Sequence, residues 1–334
     1  MRFSFFPILI LLVVSLLFCS LFIFYSNPDI NPAALADTDG QNQALGAIDT
    51  SINLAETNST SLNYSLPPSN DKQSLPPRLK DNAEKIDLEN VVYLVMDKES
   101  GAILLKQNES TSTAIASITK LATALVFLEQ KLDWERTYKI KAIDIIGGGK
   151  SNIMPGEEIK IRDLFFLSLA SSDNSATEAL VHATGMTDEK FGAEINRKLA
   201  EWQLDNTHFS DPTGLSNANV STAADVAKLA KLAFANKDIR EATLTKRYEF
   251  ITKAGVTRVA KNTDLLLDIF PQNGVKVVGG KTGYTENAGY CFVGQFVNGS
   301  GHEIISVILG GPDINSRFAE TKRIVHWTYN NYLW

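Results

Sequence analysis

A chain of 334 residues, 44% hydrophobic and 21% charged, is long enough for one large or two ordinary globular domains and excludes wholesale disorder. Its formal charge of -6 is unevenly placed: residues 29–88 carry nine acids against four bases, which leaves the C-terminal part close to neutral. Without a basic stripe there is no electrostatic footprint for nucleic acid, and that partner class is set aside.

The N-terminal segment, residues 1–27, holds one charge, Arg2, ahead of an apolar run from Phe5 to Tyr25 that is long enough to cross a bilayer as a helix. Ala34-Leu35-Ala36 has the form of a signal-peptidase site but lies about ten residues beyond the run, which is farther than usual. The expectation is an uncleaved membrane anchor with an exported remainder, cleavage near Ala36 being the alternative. Cys291 is the only cysteine outside the apolar run, so that remainder has no intrachain disulfide. Its setting, Tyr290-Cys291-Phe292-Val293, is that of a small hydrophobe on a buried strand. Residues 28–88, rich in Ser, Asn, Asp and Pro with no sustained period, read as a disordered stalk with an end-to-end distance of roughly 40–50 Å.

The folded domain is expected over residues 89–334. Val91–Met96 and Ala102–Leu105 flank a Gly-containing turn and predict a β-hairpin. Ser117 opens an almost wholly apolar helix to Leu128, and three more helices follow at Ile161–Ser171, Asn174–Ala183 and Asp188–Gln203. Thr222 with Asp225 starts another, through Ala235. Strands Val275–Thr285, Tyr290–Val297 and Glu303–Leu309 precede a last helix, Ser316 to Tyr329. Strands at both ends with helices between them predict an α+β fold: an antiparallel sheet flanked by helices, with an all-helical subdomain beside it.

Three short motifs carry chemistry in this frame: Ser117-Ile118-Thr119-Lys120, Ser172-Asp173-Asn174 and Lys281-Thr282-Gly283. Each alone is weak, since Ser69-Asn70-Asp71-Lys72, Ser51-Ile52-Asn53 and Ser61-Leu62-Asn63 fit the same patterns inside the polar tract. Context separates them, because Ser117 begins a helix, Ser172 ends one and Lys281 rides on a strand. A serine nucleophile needs a base. The four histidines are scattered, no G-x-S-x-G elbow exists, and no metal-ligand spacing appears, so neither a Ser-His-Asp triad nor a catalytic metal or cofactor is expected. Lys120, one turn from Ser117, can be that base if it is neutral, and burial plus the cation Lys281 are expected to lower its pKa by ~3 units. Strand alternation sets Lys281 and Gly283 on one face and Thr282 on the other, with Gly283 letting a substrate backbone approach as an added strand. The plainer alternatives are an incidental lysine on a buried helix, a helix cap at Ser172 and Asn174, and an exposed Lys-Thr-Gly turn.

These motifs, with Asn206-Thr207-His208-Phe209, Gly214-Leu215, Ser221-Thr222-Ala223 and Ala288-Gly289-Tyr290, resemble the penicillin-recognising serine enzymes. The likeness is to the D-alanyl-D-alanine carboxypeptidase branch of low-molecular-mass penicillin-binding proteins, peptidase family S11. It implies a β-lactamase/transpeptidase-like fold, peptidoglycan stem peptides as substrate and β-lactams as covalent inhibitors. By position it implies Ser117 as acylated nucleophile, Lys120 as general base and Ser172 as proton relay. Asn174 would be a substrate-amide partner, Lys281 a source of field, and Thr282, helped by Arg317, the carboxylate binder. The backbone N–H groups of Ser117 and Tyr284 would form the oxyanion hole. Many relatives have His at the position of Tyr284, and many carry a further β-rich domain and amphipathic helix beyond the point where this chain reaches Trp334, which leaves anchoring to the N-terminal segment. The rival readings are a class A-like β-lactamase, with Glu201 as its deacylating carboxylate, and a non-catalytic wall-binding protein.

Overall fold

The structure, a computed structural model, describes residues 75–88 and 91–334. The expected anchor and the stalk up to residue 74 lie outside the described residues. Among the described residues no helix is long and apolar enough to cross a membrane.

Five antiparallel strands make the main sheet: β1 (Val92–Asp97), β2 (Ile103–Gln107), β3 (Lys276–Thr285), β4 (Gly289–Val297) and β5 (Glu303–Gly311), in the spatial order β3-β4-β5-β1-β2. Register is fixed by apolar side chains on both faces. Leu94, Met96, Val293, Ile305 and Val307 point into one core, and Tyr93, Val95, Phe292, Phe296, Ile304 and Ile308 into another. This is the period of two that strands impose, with neither face left to solvent. Where strands must turn, the sequence supplies the means: Gly101 takes φ +75 and the Asp97 carboxylate accepts the Ser100 N–H at 2.8 Å.

The helices are α1 (Lys120–Glu129), α2 (Ile161–Ala170), α3 (Asn174–Ala183), α4 (Asp188–Glu201), α5 (Ala223–Ala235), α6 (Lys237–Leu244), α7 (Leu266–Ile269) and α8 (Ile314–Asn331). Several begin on side-chain caps. Asp173 accepts the Ala176 N–H for α3, Thr187 that of Lys190 for α4, and Thr222 that of Asp225 for α5, the start read from the sequence. Helices α1 to α6 build the first core, while Phe318, Ile324 and Val325 of α8 close the second. The helical region also contains short strand pairs, Thr137–Lys139 with Glu158–Lys160 and Arg247–Ile251 with Thr257–Lys261, too short for periodicity to announce.

One boundary moves. Arg78–Leu79 pairs with Tyr332–Leu333, and Leu88 is buried in the second core. Packing on the domain therefore starts upstream of Glu89, inside the segment expected to belong to the stalk. Isolated apolar residues among prolines carry no period, so this docking has no local signature.

Candidate active site

Ser117 lies in a 3₁₀ turn, Ala116–Thr119, and α1 begins only at Lys120. At three residues per turn, positions i and i+3 eclipse. The geometry brings Lys120 Nζ to 2.8 Å from Ser117 Oγ. Lys120 is fully buried and also donates to Asn174 Oδ1 at 2.7 Å and to the Thr213 carbonyl at 2.6 Å. Three acceptors match the three hydrogens of an ammonium. In the neutral amine two hydrogens still serve Asn174 and Thr213, and the lone pair faces the Ser117 hydroxyl.

Burial lowers the Lys120 pKa to about 7, against the pull of the Asp211, Asp173 and Glu178 carboxylates. The shift corresponds to roughly 5 kcal/mol of preference for the uncharged amine relative to water. The sequence reading assigns a large part of this to Lys281. The first cause is instead removal from water, and the mutual repulsion is registered at Lys281, whose pKa is lowered well below normal by burial, then Lys120, then Arg317, with Asp264 opposing. Two ammonium groups that share a dry cleft cannot both hold their protons easily.

Lys281, on β3, donates to Ser172 Oγ at 2.8 Å and to the Thr282 carbonyl at 2.9 Å. Ser172 bridges α2 and α3 with φ +58, a left-handed conformation that a serine adopts at about 1–3 kcal/mol. The three motifs, distant in sequence, are thus joined by Lys120 to Ser117 and Asn174, and by Lys281 to Ser172.

The remaining expected residues divide. Asn174, besides accepting from Lys120, donates to the Gly147 carbonyl at 3.0 Å. Gly283 passes against the nucleophile turn: a Cβ there would stand 2.5 Å from the Ile115 carbonyl oxygen and 3.3 Å from Ser117 N. Only glycine allows that approach. Thr282 is buried with its hydroxyl 2.6 Å from that of Thr263. Tyr284 is 51% exposed and stacks on Tyr290 with ring centroids 4.2 Å apart. Arg317 is buried beneath the strands, donating to the Gly283 carbonyl at 3.1 Å and that of Cys291 at 3.3 Å, while its Nε has no partner. Its visible work is to hold β3 and β4.

Further residues complete the site, of which the sequence reading named only Gly214, as part of a motif. The Asp211 carboxylate gathers the N–H groups of Thr213, Gly214 and Ser216 at 2.7–2.8 Å, shaping the loop whose Thr213 carbonyl meets Lys120. Gly214 has φ +86, and a Cβ would fall 2.0 Å from the Ala116 carbonyl oxygen. Asn219 ties that loop to Thr119 Oγ1 at 3.1 Å. Asp211-Pro212-Thr213-Gly214 reads as a turn, which is the signal that could have drawn attention to it. Asp264, buried with Oδ2 unpaired, has its carboxyl raised to about 7 by burial.

Glu201 is on the exposed face of α4, paired with Arg197 and Lys198, and makes no contact with the serine cleft. Cys291 is buried, its thiol raised to about 11 by burial, consistent with a packing residue.

With this geometry in place, the chain matches the family described as D-alanyl-D-alanine carboxypeptidase, peptidase S11, over residues 79–313. It is 28% identical over 247 residues to a D-alanyl-D-alanine carboxypeptidase of Bacillus subtilis, covering 72% of this chain and 62% of that protein. A D-alanyl-D-alanine endopeptidase of Pseudomonas aeruginosa is 30% identical over 238 residues, covering 70% of this chain and 75% of that protein. Among solved structures, the Streptomyces K15 DD-transpeptidase superposes with a TM-score of 0.69 at 26% identity, over 74% of this chain and 100% of that one.

Proposed function

The chain belongs to the D-alanyl-D-alanine carboxypeptidase family, peptidase S11, and from that membership we propose that it removes the terminal D-Ala from peptidoglycan stem pentapeptides through an acyl-enzyme on Ser117. The observation that carries the reading is Lys120 Nζ at 2.8 Å from Ser117 Oγ with a pKa lowered to about 7. Near neutral pH a substantial fraction of the amine is free to take the serine proton. Ser117 Oγ then attacks the carbonyl of the D-Ala-D-Ala bond, and the oxyanion is met by the backbone N–H groups of Ser117 and Tyr284. The proton taken up by Lys120 is returned through Ser172, held by Lys281, to the leaving amine as the C–N bond breaks. Water hydrolyses the ester and returns the serine. β3 is an edge strand, paired only with β4 among the described residues, which supports a substrate laid alongside it as an added strand. Thr282 is the residue assigned to the terminal carboxylate.

Peptidoglycan as substrate implies action outside the cytoplasm, and the N-terminal apolar run is assigned the role of anchor. The presence of D-alanyl-D-alanine endopeptidases among the relatives raises a second reading, cleavage of D-Ala linkages in cross-linked stems.

The test is incubation of the full chain with a stem pentapeptide and with a cross-linked dimer, scored by mass spectrometry, alongside labelling with a fluorescent penicillin. Release of D-Ala and a label that vanishes in Ser117→Ala are expected. Absence of both product and label in the wild type would leave only a wall-binding role, and rapid penicillin turnover would favour the β-lactamase.

A further inference from the structure

The connection between α3 and α4 holds a cluster that the reaction does not use. Glu178 and His182 are one turn apart on α3, and Asp188 is the first residue of α4. One ligand atom from each lies within 4.8 Å of the other two. His182 Nδ1 stands 2.5 Å from Asp144 Oδ1, and Asp144 is fully buried, its other oxygen accepting the Lys141 N–H at 2.7 Å. A carboxylate acceptor on Nδ1 places the imidazole proton there and leaves the Nε2 lone pair facing outward. That lone pair meets Asp188 Oδ1 at 3.1 Å. Two lone pairs at this separation repel, so either a proton on Nε2 or a metal cation must sit between them.

Glu178 adds a second sign. It is only 7% exposed, and its carboxyl is raised to about 8, first by burial and then by the neighbouring Asp188. No lysine or arginine among the described residues forms an ion pair with Asp144, Glu178 or Asp188, and His182 pairs with Asp144 and Asp188. Burial and the nearby Asp188 both disfavour a charge on Glu178, and a cation in front of the two carboxylates would replace the proton they otherwise hold.

We propose that Glu178, His182 and Asp188 bind a first-row divalent cation of the zinc type, with Asp144 orienting the imidazole from behind. One imidazole and two carboxylates suit such an ion better than Mg²⁺, which prefers oxygen alone. Ligand bonds of about 2.0–2.2 Å require the three donors to draw together by roughly an ångström, and Asp188, half exposed at its side chain, has the freedom to move. The ion would staple the end of α3 to the start of α4. Because α3 begins at Asn174, the staple steadies the helix that brings Asn174 to Lys120.

The experiment uses the full chain in detergent, stripped with chelator, then titrated calorimetrically at pH 8 with Zn²⁺ and separately with Mg²⁺. Saturation at one Zn²⁺ per chain is expected, with a raised melting temperature and weaker Mg²⁺ binding. His182→Gln and Asp188→Asn should each weaken Zn²⁺ by at least about tenfold, and Asp144→Asn by about 10–100-fold. A cooperative melt in chelator establishes that each variant is folded, and Asp188→Asn, at a half-exposed side chain, leaves the buried network intact. No saturable Zn²⁺ binding by the wild type, or equal binding by His182→Gln and Asp188→Asn, would overturn the site and identify the cluster as an imidazolium ion pair.

Discussion

The cleft contains two buried lysines in opposite surroundings. Lys120 sits at the foot of α1 with three acceptors around its nitrogen and the Asp211, Asp173 and Glu178 carboxylates beyond them. Lys281 sits on an edge strand between two other cations, Lys120 and Arg317, with Asp264 as its one opposing carboxylate. Both are pushed toward neutrality first by burial, yet the second influence differs in sign: acidic surroundings restore proton affinity at Lys120, and basic surroundings remove more of it at Lys281. The pair is built so that Lys120 titrates near 7, where it can both take and return a proton.

The comparison breaks most severely at Lys120. Lys120→Met removes the proposed base and leaves Asn174 Oδ1 and the Thr213 carbonyl without their donor. Acylation by a fluorescent penicillin should fall by about 10²–10⁴-fold, with a cooperative thermal melt showing that the loss is chemical. Unaltered labelling would show that another group activates Ser117.

Lys281→Gln separates the two lysines. It removes the amino group that donates to Ser172, so acylation should slow by about 10²-fold, the low end of a proton-transfer contribution. Burial is the leading cause of the Lys120 shift, so the midpoint of the acylation pH profile should stay near 7. In the wild type the rate should rise through that midpoint, because the unprotonated amine is the base. A rise of the midpoint by a full unit or more in Lys281→Gln would return control of Lys120 to the field of Lys281. The same shift has a stability consequence. Lys120 has a folded pKa of about 7 against the ordinary 10.5 of a lysine in water. Between those values the unfolded chain binds the additional proton, so this group's contribution to stability rises with pH across the window.

How far the sequence foretells all this depends on the range of the contact. The spacing of Ser117 and Lys120 is local, and one turn of helix converts it into a hydrogen bond without help from the rest of the chain. The cap at Thr222 and the alternation of Tyr93 and Leu94 are legible for the same reason. The sheet order β3-β4-β5-β1-β2 pairs strands far apart in sequence, and the Lys281 bond to Ser172 spans 109 positions. Motif context anticipated their meeting, but no period encodes it. Asp211 was invisible because its role is to collect backbone N–H groups, a task any short turn carboxylate can perform. Arg317 was placed near a substrate carboxylate by resemblance alone; its bonds run to the Gly283 and Cys291 carbonyls, which only tertiary packing determines.

Asp211→Asn sharpens the acidic side of the comparison. Its negative charge raises the Lys120 pKa. Neutralising it should therefore move the acylation midpoint below 7, by about half a unit for a charge not in direct contact, opposite in direction to any effect of losing Lys281. The melting temperature should also fall, because the amide has one oxygen to offer where the carboxylate had two for Thr213, Gly214 and Ser216. An unchanged midpoint would remove Asp211 from the electrostatics of the cleft and leave it a loop-shaping role only.

The smallest expected effect lies on α4. Glu201 is bound by Arg197 and Lys198 at the surface, and an exposed pair of this kind contributes about 0–1 kcal/mol. Glu201→Gln should shift the melting temperature by no more than about 2–4 °C and the lifetime of the penicilloyl adduct by less than about fivefold, since a change below 1 kcal/mol is less than a factor of ten in any rate. A carboxylate that deprotonates the hydrolytic water would behave differently: its amide would trap the adduct. A markedly longer-lived adduct in Glu201→Gln would bring α4 into the reaction and revive the β-lactamase reading. An unchanged lifetime would assign deacylation to the two-lysine cleft, where the Lys120 amine proposed to take the serine proton can take one from water.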